Sequence, residues 1–437
     1  MDRDRDPKRR FIIDGKADLI SDLPSSVLHN IVDRLPLREA ARLCVISKNI
    51  NQKWLSFPNL KLDDHFFEVL SEEMHPCYEF NRILSKILLS HNGPILKFFL
   101  HIPNMDRPHT LRYNPFSVLR YECSPEIGPL ISHLSRNGIQ EMTLDNCSSS
   151  RLQLSSQIFS CLELEKFKLC RFDLIIPPSV NIFKNVTRIE LECVILTGRS
   201  YNGFISSCPA LETLVIKGID TQDLLVIDAP NLKLLEVEGS FRSSISLKGC
   251  VGLSSITIDL NERVVSQNPE RAGELVEFLA CSCELEELNL GRYFFDFLGD
   301  PGLVTIFSNT FHHLKELQLA YIPLKDKMIS SAIRIIRSCP NLEELAISFE
   351  FSNEPDEGEI TDKGDNVLQR LRNVYLTYPT GLEMEIKFIK FILDNARRLE
   401  KLYIPPFIKT MPDFASKFME KLLRLRRASN MAQILFE

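Results

Sequence analysis

Residues 339–347 read Cys339-Pro340-Asn341-Leu342-Glu343-Glu344-Leu345-Ala346-Ile347, and close variants of that phrase return along most of the chain. Its frame is apolar-x-x-apolar-x-apolar. The frame recurs at Ile139/Met142/Leu144, Leu164/Phe167/Leu169, Val186/Ile189/Leu191, Leu211/Leu214/Ile216, Leu232/Leu235/Val237 and Leu253/Ile256/Ile258. It continues at Leu285/Leu288/Leu290, Leu314/Leu317/Leu319, Leu342/Leu345/Ile347, Leu371/Val374/Leu376 and Leu399/Leu402/Ile404. These eleven copies start 25, 22, 25, 21, 21, 32, 29, 28, 29 and 28 residues apart. The last two apolar positions of each copy alternate with polar ones and so point to one face of a short strand, while the first packs into the bend before it.

A unit of this size buries its apolar side only against the next unit, and a period of roughly 20 to 29 residues belongs to leucine-rich repeats. Several copies follow a Cys-Pro or Ala-Pro pair, and the proline stops a preceding helix, as after Ile333–Arg337, by disfavouring helical geometry in the residue before it. The predicted fold is therefore α/β: a solenoid with parallel strands inside and helices outside. Ile95/Phe98/Leu100 obeys the same spacing and predicts an earlier strand. A chain of 437 residues is long for one compact core, but a solenoid grows in one dimension and escapes that limit.

The chain is 44% hydrophobic and 25% charged, with a formal net charge of -6. That weak acidity argues against nucleic acid or an anionic membrane as the main partner, and no apolar run reaches the roughly 20 residues that span a bilayer. The start, Met1 to Arg10, is charged with no long apolar stretch behind it, so a cytoplasmic or nuclear location is expected. Cys161, Cys208, Cys283 and Cys339 fall at the same place before the strand phrase and read as small buried residues of the repeat.

Residues 1–17 are charged and unpatterned and are expected to be disordered. Order is expected from Leu19, with Ser21 or Asp22 capping a helix that carries Pro24 in its first turn. Val27, Leu28, Ile31 and Leu35 share one face of that helix, and Pro36 ends it. Two more helices are predicted, through Arg38–Val45 and Ser47–Trp54. Three short helices bury little core, so a module of this size tends to need a partner.

The run Leu23-Pro24-Ser25-Ser26-Val27-Leu28-His29-Asn30-Ile31-Val32-Asp33-Arg34-Leu35-Pro36, followed by Ala40-Ala41-Arg42, Val45-Ile46-Ser47-Lys48 and Trp54, resembles an F-box. Ile50 stands where plant members usually carry a tryptophan. The resemblance implies that Leu23, Pro24, Val27, Leu28, Ile31, Leu35, Pro36, Val45 and Trp54 form the small core and the face that docks to a Skp-type adaptor and, through it, cullin. The expected division is F-box over 18–60 and repeats over 61–365, with helices carrying Phe80, Ile83, Leu84, Ile87 and Leu88 and spanning Pro125–Asn137. Residues 103–124 and the acidic stretch 349–359 are expected as loops. Over 366–410, a strand through Leu371–Leu376, a helix through Gly381–Ala396 and a strand ending in Leu399-Glu400-Lys401-Leu402-Tyr403-Ile404 resemble the FBD region of plant F-box proteins with leucine-rich repeats, here suited to capping the solenoid. Residues 411–437 are expected to end in a basic helix, Phe414–Arg427.

The chain shows no nucleophile elbow, phosphate loop, dinucleotide fingerprint or His-Glu-x-x-His, so no catalytic residue is expected. No two cysteines have Cys-x-x-Cys spacing and His312-His313 lacks a third partner, so neither a metal nor a cofactor is expected. Recognition remains: Thr213, Val215, Asn289, Gln318, Ala346 and Tyr375 are predicted to project in register from one side of the sheet. With the F-box resemblance, the implied function is substrate recognition in a Skp-cullin-F-box ubiquitin ligase, the repeats binding a target protein of unknown identity. The alternative is a binding or sensor protein whose F-box works outside a cullin ligase.

Overall fold

A computed structural model of the chain describes residues 23–24, 27, 31, 34–35, 39, 56–67, 76–104, 125–177, 183–197, 201–221, 225–241, 245–247, 249–260, 278–279, 284–295, 311–350, 368–379, 381–405 and 412–436. The expected charged tail, residues 105–124 of the loop expected over 103–124 and residues 351–359 of the acidic stretch lie outside them, while Phe349, expected to open that stretch as a loop, is the buried last residue of a strand. The chain forms two compact units, Met1–Ser150 and Arg151–Glu437.

In the first unit, β1 (Asn59–Leu62), β2 (Lys97–Ile102) and β3 (Glu141–Asn146) pair in parallel. Leu60, Phe98 and Met142 stand opposite one another, as do Leu62, Leu100 and Leu144, and all six are buried. Strand β1 was not anticipated, although Phe57/Leu60/Leu62 keep the repeat spacing; the expected domain boundary at residue 60 cut through that phrase. Helix α1 (Pro76–Ser90) buries Phe80, Leu84 and Leu88, one residue per turn on one side. Helix α2 (Ile127–Ser135) does the same with Ile127, Leu130, Ile131 and Leu134.

The second unit opens with β4 (Leu152–Leu154), β5 (Lys166–Cys170), β6 (Phe172–Ile175), β7 (Arg188–Glu192) and β8 (Ile195–Thr197), followed by the short helix α3 (Tyr201–Ile205). Then come β9 (Thr213–Thr221), β10 (Leu225–Val226), β11 (Leu234–Phe241), β12 (Ile245–Ser246), β13 (Ser255–Leu260), β14 (Glu287–Leu290) and β15 (Glu316–Ile322). Helix α4 (Asp326–Arg337), β16 (Glu344–Phe349), β17 (Asn373–Thr377), α5 (Glu383–Asn395), β18 (Lys401–Ile404), α6 (Pro412–Leu423) and β19 (Gln433–Phe436) complete it. The main sheet is parallel and runs β5-β7-β9-β11-β13-β14-β15-β16-β17-β18-β19. Every predicted repeat strand is present.

Leu288, Leu317, Leu345, Val374 and Leu402 lie in one register column, and all are buried, as are the leading Leu285, Leu314, Leu342, Leu371 and Leu399. Each such side chain contributes about 1.5–3 kcal/mol relative to leaving it in water. The backbone stitches successive bends together: Lys315 N donates to Glu286 O, Glu343 N to Lys315 O and Arg372 N to Glu343 O, at 2.8, 2.8 and 2.9 Å. The asparagine of the repeat phrase adds a side-chain staple to the preceding unit. Asn341 Nδ2 donates to His312 O at 2.6 Å and Asn231 Nδ2 to Pro209 O at 2.9 Å.

Two expectations need correction. Helices do not back every repeat: behind β5 to β13, β4-β6-β8 form a three-stranded sheet and β10-β12 a pair. Repeat length is the reason. A helix rises about 1.5 Å per residue against about 3.3 Å for a strand, so copies 21 to 25 residues apart return through short extended segments or a single helical turn such as the five residues of α3, while copies 28 or 29 apart hold the 12 and 13 residues of α4 and α5. Secondly, the C-terminal helix is followed by β19, which sets Ile434 opposite Leu402 and Phe436 opposite Ile404. Ser429 Oγ donates to Leu399 O at 2.7 Å and fixes the approach to that strand.

The repeat cysteines pack as expected: Cys161, Cys208 and Cys339 are buried, and Cys283 lies outside the described residues. Burial pushes the thiols of Cys161 and Cys208 up to about 12 and raises that of Cys339 as well. The Sγ of Cys339 donates to Ile335 O at 3.2 Å, so it caps the helix it ends. Cys77 is disulfide-bonded, which the expectation of a reducing compartment did not anticipate.

Candidate functional site

Two surfaces carry the residues singled out in the sequence. On the N-terminal segment, Leu23 and Leu35 are half-buried and Pro24 is exposed. Val27 N donates to Pro24 O at 3.0 Å, so the proline opens the turn as its fixed φ favours. Val27 and Ile31 are both helical, and four residues apart they share one side of the helix. They are 40% and 38% exposed. Leu28, Pro36, Val45 and Trp54 lie outside the described residues.

The second surface is the outward face of the main sheet in the second unit. Its middle row reads Lys168, Glu190, Val215, Glu236, Thr257, Asn289, Gln318, Ala346, Tyr375 and Tyr403 in continuous register. Val215, Asn289, Gln318, Ala346 and Tyr375 stand in it as predicted, although Val215 is buried by its neighbours. Thr213 stands in the adjacent row, which continues through Ser255, Glu287, Glu316, Glu344, Asn373 and Lys401. Sequence reasoning missed Glu316, Glu190 and Tyr403. Each was legible: Glu316 lies two residues after the leading leucine of its copy, like Glu287 and Glu344, and Tyr403 lies four after, like Tyr375.

Charge changes along this face. At one end Glu190 accepts from Lys168 Nζ at 2.8 Å and Arg188 Nε at 2.6 Å. Burial pushes its carboxyl up, but those two hydrogen bonds and charges outweigh it and hold the group below the usual carboxylate range. Lys217 pairs with Glu236 at 2.7 Å, which raises the ammonium. Further along, Glu287, Glu316 and Glu344 sit on three consecutive strands. Glu287 accepts from Ser255 Oγ at 2.9 Å and Glu344 from Asn373 Nδ2 at 3.1 Å. Glu316, between them, is raised above its ordinary value by burial first and by the two neighbouring carboxylates second. Like charges directly opposite destabilise a sheet, so stability is given up here.

Beside the carboxylates the face turns aromatic. Tyr375 and Tyr403 stack with centroids 4.9 Å apart and planes 3° from parallel. Arg292 lies 4.5 Å over the Tyr321 ring, and Tyr321 stacks on Tyr378 at 6.5 Å. Paired acids next to flat, part-exposed rings offer charge and stacking to a ligand.

Known proteins agree with this layout. The F-box domain family matches residues 20–62, and the family described as "FBD-associated F-box protein At5g56370, LRR repeats" matches residues 128–262. The Arabidopsis thaliana F-box/FBD/LRR-repeat protein At1g13570 is 29% identical over 96% of this chain and 98% of its own. The Arabidopsis F-box/FBD/LRR-repeat protein At3g26920 is 26% identical over 97% of each chain. Among solved structures, an internalin from Listeria monocytogenes aligns with 70% of this chain and 83% of its own at 10% identity, with a TM-score of 0.33, below the level that indicates a shared fold. An F-box match at one end, repeat strands in unbroken register through the second unit and near full-length alignment make this a chain that resembles the plant F-box/FBD/leucine-rich-repeat family throughout.

Proposed function

We propose that the chain is the substrate-recognition subunit of a Skp-cullin-F-box ubiquitin ligase, acting in the cytoplasm or nucleus. The observation that carries this is Val27 and Ile31, two apolar side chains open to solvent on one side of an F-box helix. Leu23, Pro24, Val27, Leu28, Ile31, Leu35, Pro36, Val45 and Trp54 would then form the face and support for a Skp-type adaptor. The outward face of the repeats, with its acidic row and stacked tyrosines, would hold a target protein. The chain makes and breaks no bond itself. It raises the effective concentration of the target beside the ubiquitin-loaded enzyme, and proximity supplies the rate.

The test is co-purification of the full chain with a Skp-type adaptor and cullin, beside the double variant Leu23→Ala/Pro24→Ala. Capture of both proteins by the parent chain and neither by the variant is expected, with the circular dichroism of the repeats unchanged. Capture of the adaptor without cullin would replace this reading with that of a binding protein working outside a ligase. Capture of neither would overturn it.

A further inference from the structure

The first unit holds a group of side chains that the F-box and repeat readings leave unused. His101 lies on β2 and Asp145 on β3, directly opposite each other, and Cys147 follows two residues later. His101 Nδ1 lies 3.1 Å from Asp145 Oδ2 and 3.9 Å from Cys147 Sγ, and the three donor atoms all fall within 4.8 Å of one another. All three residues are half-buried, and β2 and β3 alternate so that His101 and Asp145 are on the outward face.

The placement is held by the backbone rather than by chance rotamers. Cys147 N donates to Ile102 O at 2.9 Å, carrying the strand ladder one residue past β3. Asn146, fully buried, accepts from Ser148 N at 3.0 Å and donates from Nδ2 to Ser150 O at 2.9 Å, which locks the turn that bears the cysteine. Cys147 is not disulfide-bonded.

A Cys-His-Asp arrangement also brings a thiol-nucleophile triad to mind, but the geometry opposes it. In a triad the carboxylate and the thiol engage different ring nitrogens, so that one orients the imidazole and the other gives up its proton. Here both approach Nδ1. Three donor atoms within 4.8 Å of one another, two of them beside a single nitrogen, suit a shared cation. Tetrahedral bonds of about 2.0 Å to nitrogen, 2.1 Å to oxygen and 2.3 Å to sulfur set the nitrogen about 3.4 Å from the oxygen and about 3.5 Å from the sulfur. The observed 3.1 and 3.9 Å differ from those spacings by a few tenths of an ångström.

We propose that His101, Asp145 and Cys147 form a binding site for a thiophilic divalent transition metal of the Zn2+ class on the outward face of the first unit. A nitrogen, a carboxylate oxygen and a sulfur are the donor set of zinc, whereas Ca2+ and Mg2+ take oxygens. On binding, the thiol proton leaves to solvent, His101 bonds through Nδ1 with its proton on Nε2, and the carboxylate bonds as the anion. Three protein ligands leave a fourth tetrahedral position for water or for a side chain of a bound partner.

The test titrates Co2+, then Zn2+, into the reduced, metal-free full chain. One Co2+ per chain is expected, with a near-ultraviolet thiolate-to-cobalt charge-transfer band that Zn2+ bleaches. Cys147→Ser should abolish the band, and His101→Ala and Asp145→Asn should each weaken binding at least tenfold, while Cys193→Ser, at another part-exposed cysteine, should leave it intact. Folding is checked by circular dichroism. Should Cys147→Ser fail to fold, the parent chain still decides: Zn2+ should protect Cys147 from alkylation, read by peptide mass mapping. No charge-transfer band, a band that survives Cys147→Ser in a folded chain, or alkylation of Cys147 indifferent to Zn2+ would overturn the proposal.

Discussion

Replacing Val27 and Ile31 together by alanine tests the proposed docking face at its two exposed apolar residues. Complete burial of a valine or isoleucine is worth about 1.5–3 kcal/mol. The two side chains are 40% and 38% exposed, so covering that fraction contributes about 0.6–1.2 kcal/mol each and about 1.2–2.4 kcal/mol together, a factor of about 7 to 50 in Kd. Alanine keeps the Cβ, which places the expected loss near the lower end, about tenfold. The assay is calorimetric titration of a purified Skp-type adaptor into the full chain, parent against double variant. Because more than half of each side chain is already covered in the free chain, the truncation should also lower the stability of the module, so the titration is run below the variant's own melting transition. A Kd within about twofold of the parent's, equivalent to roughly 0.4 kcal/mol, would refute the assignment of these residues to the interface.

Phe388→Ala should destabilise the C-terminal repeats by about 3–5 kcal/mol, because the ring is fully buried and packs edge-on against Phe349 at 5.4 Å; urea unfolding measures it. Gly239→Ala should cost about 1–3 kcal/mol through overpacking, since a Cβ there would stand 2.2 Å from the carbonyl oxygen of Ile219, a backbone atom that cannot turn aside. Glu316→Gln should raise stability at neutral pH by about 0.2–1 kcal/mol at low salt, and the gain should shrink near 1 M salt, where the screening length falls to about 3 Å. The sign follows from a folded-state pKa above the ordinary value: Glu316 favours the folded state below its unfolded pKa and disfavours it as pH rises through the folded one. Glu190 behaves oppositely, its lowered carboxyl stabilising at neutral pH and losing that contribution as pH falls through its folded pKa; thermal melts of Glu190→Gln against pH should show a smaller acid-side loss than the parent.

The strands were legible because their signal is local and repeated. Leu285, Leu288 and Leu290 announce β14 by spacing alone, and ten neighbours repeat the statement. What backs each strand was not legible from the same pattern: a Leu152-Gln153-Leu154 alternation is too short to distinguish a strand from a bend. Strand β19 keeps the frame as well, at Met431/Ile434/Phe436, but the basic helix expected for residues 411–437 masked it. The outward rows follow from offset within each copy, which found Tyr375 and passed over Tyr403. The His101, Asp145 and Cys147 group belongs to a different class of information. It depends on pairing between residues 44 apart in sequence, and no spacing within one strand announces it.

The middle row of the main sheet places one side chain per strand, Asn289 to Tyr403 on five successive strands. Its rungs are about 4.8 Å apart, whereas an extended ligand laid across them advances about 3.4 Å per residue and falls out of step within two residues. A helix advances about 5.4 Å per turn, so across the four intervals from Asn289 to Tyr403 it slips by only about 2.4 Å. Turn for rung, a helical segment keeps every contact within reach of one side chain. The spacing of the backbone alone would thus favour a helical over an extended segment along this row, before any residue on the face adds its chemistry.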